Sequence, residues 1–236
     1  MRVNLAAAAF ALTVAATAAH AGIIINSSVG GAPTGVTKEN FDTLTPAIGG
    51  GGVTPTGISV STTPDAGVMM GNVSGIYAAP FLTGGNGFGF GPGGTNQADG
   101  QDATAYLAAG ATNTSAGAQV SITLPALERY VGLLWGSVDD FNTLSLYNGA
   151  TLVATVTGSQ VIAVANGDQG PDGTVYVNIN ATGATQFDRL VLTSTQHTFE
   201  MDNLAFNPTA LPEPASLALL GGGLFGLGLL RRKSRR

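Results

Sequence analysis

Apolar residues recur at every second position through much of this chain. Val120, Ile122 and Leu124 alternate with Ser121 and Thr123, and Val175, Val177 and Ile179 alternate with Thr174, Tyr176 and Asn178. A period of two lines one face of a strand. Helical periodicity is hard to find between the two ends. Gly, Asn and Asp cut the alternating runs short, which predicts many short strands in an all-β sandwich or barrel. Two long apolar runs depart from this pattern, and they sit at the termini: Leu5 to Ala18, and Ala215 to Leu230.

Three local patterns add detail. Thr143–Tyr147 and Thr151–Thr157 flank Asn148-Gly149, which predicts a hairpin with a type I′ turn at that dipeptide. Tyr130–Gly136 is apolar on both faces, so the strand is expected to be buried on both sides with Trp135 in the core. Phe199 and Met201 set one phase, whereas Leu204 and Phe206 set the other. A β-bulge at Asp202-Asn203 would turn all four inward. The glycine and phenylalanine stretch Gly84–Gly94 has the spacing of a phosphate cradle. No helix with a Lys-Ser/Thr pair follows it, so it reads as a loop or edge strand.

The terminal runs are addresses. Arg2 precedes the first, and Ala19-His20-Ala21 puts small residues at the −3 and −1 positions of a cut before Gly22. This is a signal-peptide layout over residues 1–21, so residues 22–210 are expected to be exported. The second run, residues 215–230, would span about 24 Å as a helix against about 30 Å of hydrocarbon. Thinning of the bilayer and snorkelling arginines can close that gap. Its five glycines would each cost about 1 kcal/mol in a helix in water, whereas lipid forces the backbone to pair with itself. Arg231, Arg232, Lys233, Arg235 and Arg236 follow, and such a cluster stays on the cytoplasmic side. Pro212, Glu213 and Pro214 precede the run and favour an extended, protease-accessible peptide.

Pro212-Glu213-Pro214, a short glycine-rich apolar segment and a terminal basic cluster, in that order, resemble the PEP-CTERM sorting signal. In that family, from Gram-negative bacteria that make extracellular polysaccharide, a membrane protease called exosortase recognises the motif and removes the tail. The resemblance covers residues 211–236. It implies recognition at residues 212–214, membrane retention by residues 215–230 and a translocation stop at residues 231–236. A second resemblance covers the middle. Asn40–Thr45, Gly132–Asp140, Asn142–Gly149 and Phe199–Phe206 are similar to stretches of a group of exosortase-dependent surface proteins with no established activity. It implies a single jelly-roll-like β-sandwich and carries over no catalytic residue.

Charge and composition narrow the functions open to this domain. Between the two addresses Lys38, Arg129 and Arg189 stand against thirteen acids, a net charge of −10. That balance argues against nucleic acid and anionic lipid surfaces as partners. The chain has no cysteine, which excludes disulfides, thiol catalysis and cysteine-ligated metals. Once the leader is cut, His197 is the one remaining histidine, and its surroundings read as an exposed strand.

Candidate chemistry is sparse. Asn166–Gly173 has oxygen ligands at alternate positions, but Pro171 and Val177 stand where a calcium loop of the EF-hand type needs Gly and Glu. A solvated turn is expected there. Asp139, Asp140 and Asp202 are better placed for Ca²⁺, at predicted strand ends; no other metal or cofactor is expected. Tyr77, Phe81, Phe88, Phe90, Tyr106 and Phe141 could stack on sugar rings. The expected function is a non-catalytic surface or matrix protein, processed by exosortase and associated with exopolysaccharide and biofilm. A carbohydrate-binding module, with or without Ca²⁺, is the alternative, and a hydrolase comes third.

Overall fold

The computed structural model describes residues 17–20, 22–28, 31–85, 87, 97–112 and 117–211. Two antiparallel sheets pack face to face. The first has nine strands. In spatial order they are β1 (Thr17–His20), β2 (Ile23–Ser28), β15 (Val175–Ala181), β12 (Tyr130–Gly136), β17 (Phe199–Asn207), β10 (Ala105–Ala109), β7 (Ala66–Met70) and β4 (Ala47–Ile48), with β3 (Thr37–Glu39) also paired to β17. The second has six: β14 (Thr151–Thr157), β13 (Asn142–Asn148), β16 (Phe187–Ser194), β11 (Gln119–Glu128), β6 (Ser59–Thr62) and β5 (Gly52–Val53). A small pair, β8 (Phe81–Leu82) and β9 (Gly100–Gln101), lies apart. The described helix is a single turn, Gly158–Val161. From β6 onward most connections cross between the sheets, which gives the expected jelly-roll-like sandwich.

Alternation explains the core. Val120, Ile122 and Leu124 of β11, Leu144 and Leu146 of β13, and Leu190 and Leu192 of β16 face Val131, Leu133 and Trp135 of β12 and Val177 and Ile179 of β15. Every residue of β12 is buried. The inward row joins the inter-sheet core, and the outward Leu134 packs with Tyr176 and Leu82 beneath a covering segment. That segment is brought close by Gly136, where a Cβ would stand 3.0 Å from the Cα of Pro80.

The bulge is where the phase change places it. Gly132 pairs with Ala205 and Leu134 with Asp202, so Leu133 alone faces Asn203 and Leu204. Asn203 takes a positive φ of 51°. Phe199, Met201, Leu204 and Phe206 all reach the core as a result. The hairpin is also present, but its turn differs from the expected one. Asn148 pairs with Thr151, which makes Gly149 and Ala150 the central residues, and of these only Gly149 has positive φ. That pattern belongs to a II′ turn rather than I′. A bulge between Leu146 and Tyr147 adds the residue that shifts the turn.

The predicted addresses are largely outside this description. Pro212, Glu213 and Pro214, the apolar segment 215–230, the basic residues 231–236 and Ala21 lie beyond the described residues. Ala19 belongs to β1, and Gly22 forms the turn into β2 with φ of 97°. Among the described residues no helix is long and apolar enough to cross a membrane.

Candidate functional site

The outward face of β17 carries two acids, Glu200 and Asp202. Residues 72–83 and 97–104 fold over them, so both are fully or almost fully buried. Ala78 N donates to Glu200 Oε1 at 2.9 Å, Asp102 N donates to Pro80 O at 2.9 Å, and the Thr198 hydroxyl donates to Ile76 O. Tyr106, on the same face, donates from its hydroxyl to Gly71 O at 2.6 Å. Residues 72–83 and 97–104 form a lid fixed largely through its own backbone groups.

Around Glu200 the lid leaves a cleft of about 100 Å³, lined by Ser137, Asp139, Gly167, His197 and Thr198 among others. The Ser137 hydroxyl lies 2.5 Å from Glu200 Oε2, as its donor. Asp139 sits against the 166–170 turn: a Cβ on Gly167 would stand 2.8 Å from both its carboxylate oxygens. Burial, and then the Asp140 charge, push Asp139 up to about 6. Burial pushes Glu200 from 4.5 to about 8, and the Ser137 and Ala78 bonds pull against that shift. His197 corrects its expected place. It lies in the bend between β16 and β17, half-buried on the cleft wall, because the strand ends at Ser194.

The raised Glu200 has a consequence for stability. The folded chain keeps a proton that the unfolded chain releases above pH 4.5. The stabilisation is therefore complete below that pH and is lost as pH climbs through about 8. One such proton changes stability by up to about 1.4 kcal/mol per pH unit. Urea unfolding from pH 4.5 to 8.5 should show wild type losing stability more steeply than Glu200→Gln. Parallel profiles would assign the proton elsewhere.

The second acid lies at a separate place. Asp202 is raised by burial first and then by Asp102, with Asp42 contributing. Asp139 and Asp140 thus do not join Asp202 in one site. Asp139 stands at the Glu200 cleft, and Asp140 next to it is exposed. Asp42 and Asp102, which nothing in the local sequence pattern singles out, are the partners of Asp202. Among the described residues no group of three His, Cys, Asp or Glu side chains is arranged to hold a metal ion by itself. Asn166–Gly173 is the expected turn, with Asn166, Asp168, Pro171 and Asp172 exposed.

The aromatic candidates divide. Tyr106 is fully buried beneath the lid, Tyr77, Phe81 and Phe141 are half-buried, and Phe88 and Phe90 lie outside the described residues. A wider open groove, about 340 Å³, lies at the turn end of the hairpin. Asn148, Thr151, Leu152, Val153, Thr185 and Gln186 line it. Sequence reasoning missed it, because its two walls lie more than thirty residues apart and carry no motif.

Comparison with known families adds one finding. Residues 210–235 match the family model described as the PEP-CTERM protein-sorting motif. No curated protein and no solved structure matches the chain.

Proposed function

We propose that this chain, whose residues 210–235 match the PEP-CTERM sorting motif, is an exported surface protein processed by exosortase, and that its sandwich serves as a non-catalytic component of the extracellular matrix, held against exopolysaccharide. The sorting motif is the observation that carries this reading. The hairpin groove supports it. Amide and hydroxyl groups of Asn148, Thr151, Thr185 and Gln186 can trade hydrogen bonds with sugar hydroxyls, and Leu152, 51 % exposed, offers an apolar surface for a ring face. An acidic domain would favour a neutral or cation-bridged polymer over a polyanion.

The experiment is co-sedimentation of the processed protein with exopolysaccharide from its own host. The protein should pellet with the polymer, and the double variant Asn148→Ala, Gln186→Ala should pellet severalfold less. Equal recovery in the supernatant with and without polymer would overturn the reading. A hydrolase is the second reading, because Asp139 and Glu200 line one cleft with unequally raised protonation. Against it, Glu200 is 2 % exposed and occupied by Ser137 and Ala78, and the cleft is far below the roughly 300 Å³ of a small-molecule pocket. Polymer cleavage lost in Glu200→Gln would favour the hydrolase.

A further inference from the structure

The first sheet has a gap. β12 runs along one edge of β17 from Glu200 to Asn207, so the other edge is left to β10 and β3. β10 pairs with Phe199 to Met201, and β3 pairs with Leu204 to Phe206. Asp202 and Asn203, at the bulge, fall between the two strands. The chain leaving β3 turns through Asn40 and Asp42, and the chain entering β10 passes through Asp102 and Thr104. Asp42 Oδ1 accepts from Ala105 N at 3.3 Å. The topology thus delivers three acids from distant parts of the chain to one interruption in the sheet.

The hydrogen bonds at this place are lopsided. Asp102 Oδ1 accepts from Thr104 N at 2.8 Å, Thr104 Oγ1 at 2.6 Å and Gln97 Nε2 at 2.8 Å. Its other oxygen, Oδ2, is buried with no partner. Neither oxygen of Asp202 has a partner in full hydrogen-bond geometry, although the Asn203 backbone amide and the Asp102 carboxyl lie beside it and the residue is 0 % exposed. The Asn203 amide oxygen, at 1 % exposed, is also without one. Buried polar atoms are nearly always paired, and a cluster of orphans calls for a water or an ion. Here all but one of the orphans are oxygens, and two belong to a carboxylate aimed at another carboxylate.

We propose that this gap binds one Ca²⁺, held by the carboxylates of Asp102 and Asp202 and the amide oxygen of Asn203, with Asp42 adding negative charge behind them. Two carboxylates complemented by neutral oxygens suit Ca²⁺, which accepts six to eight oxygen ligands in irregular geometry. Mg²⁺ demands a strict octahedron, and Zn²⁺ favours nitrogen and sulfur, neither of which the gap supplies beyond an amide. The ion would join the ends of β10 and β3 to β17 and complete the sheet. This goes beyond the matrix reading and stands or falls separately from polymer binding.

The test uses the processed protein recovered from its host and stripped with chelator. Calorimetric titration with CaCl₂ should show one ion per chain, with a dissociation constant of about 1 mM or tighter, as in extracellular calcium modules. The melting temperature should rise in saturating Ca²⁺ and change little in equal Mg²⁺. Asp202→Asn should abolish both effects, and Asp139→Asn, at the other cleft, should keep them. If Asp202→Asn does not fold, Asp42→Asn serves instead and should weaken binding severalfold. No Ca²⁺ uptake by the wild type, or uptake unchanged in the Asp202 or Asp42 variant, would overturn the proposal and leave the orphaned oxygens to water or a shared proton.

Discussion

With Pro212→Ala, Glu213→Ala and Pro214→Ala combined, the protein is expected to accumulate uncleaved at the membrane. These substitutions remove the centre of the matched sorting motif and leave the apolar segment and the basic cluster untouched. The two later parts act differently. Apolar residues 215–230 are expected to hold the chain in lipid, and the five positive charges in the last six residues to resist passage across it. Neutralising Arg231, Arg232, Lys233, Arg235 and Arg236 should therefore weaken retention before cleavage. Fractionation and intact mass distinguish the two defects. Normal trimming and release of the triple-alanine chain in a host with exosortase would leave the motif without a role in sorting.

Trp135→Ala should cost about 3–5 kcal/mol, the range for emptying an aromatic core position. Trp135 is fully buried, its ring stacks on Phe199 with centroids 4.0 Å apart, and its strand pairs on both sides, with Val175 and Met201. Its indole Nε1 is buried without a partner, which places the cost in lost packing rather than in a lost hydrogen bond. Trp135→Phe should therefore retain much of the stability. For a domain of this size the alanine variant should melt on the order of 10 °C lower. A loss under about 1 kcal/mol in urea unfolding would contradict the core placement.

The sandwich was legible wherever residues carry a phase. The switch from Phe199 and Met201 to Leu204 and Phe206 can be satisfied in one sheet only by an extra residue, and the bulge stands there. The turn of the hairpin was not legible, because a second bulge near Leu146 leaves no trace in the alternation of Thr151–Thr157. The acidic gap was legible only at Asp202, which stands at the predicted bulge. Asp42 and Asp102 are far from it along the chain, and each sits in a short polar stretch that would suit any solvent-facing turn. Only the fold of residues 97–104 onto β17 makes Asp102 and Asp202 interior, and Asp42 stays half-buried beside them. His197 was misplaced because Thr198 and Phe199 extend the apolar pattern past the bend.

The position of β17 bears on timing. It lies inside the first sheet, flanked by β12, β10 and β3, and it is also the last strand of the chain. Four residues separate its end from Pro212, and Leu211 N is bonded to Asn180 Oδ1 at 2.9 Å. A chain exported amino end first can assemble its other strands while still emerging, but the first sheet stays split until residues 199–207 arrive. With a tail held at the membrane, as the sorting motif leads one to expect, folding of this sandwich would finish there, the final strand drawn into a waiting slot. Leu211 is fastened to the sandwich one residue before Pro212, so the protease is expected to meet its substrate close beside a completed domain.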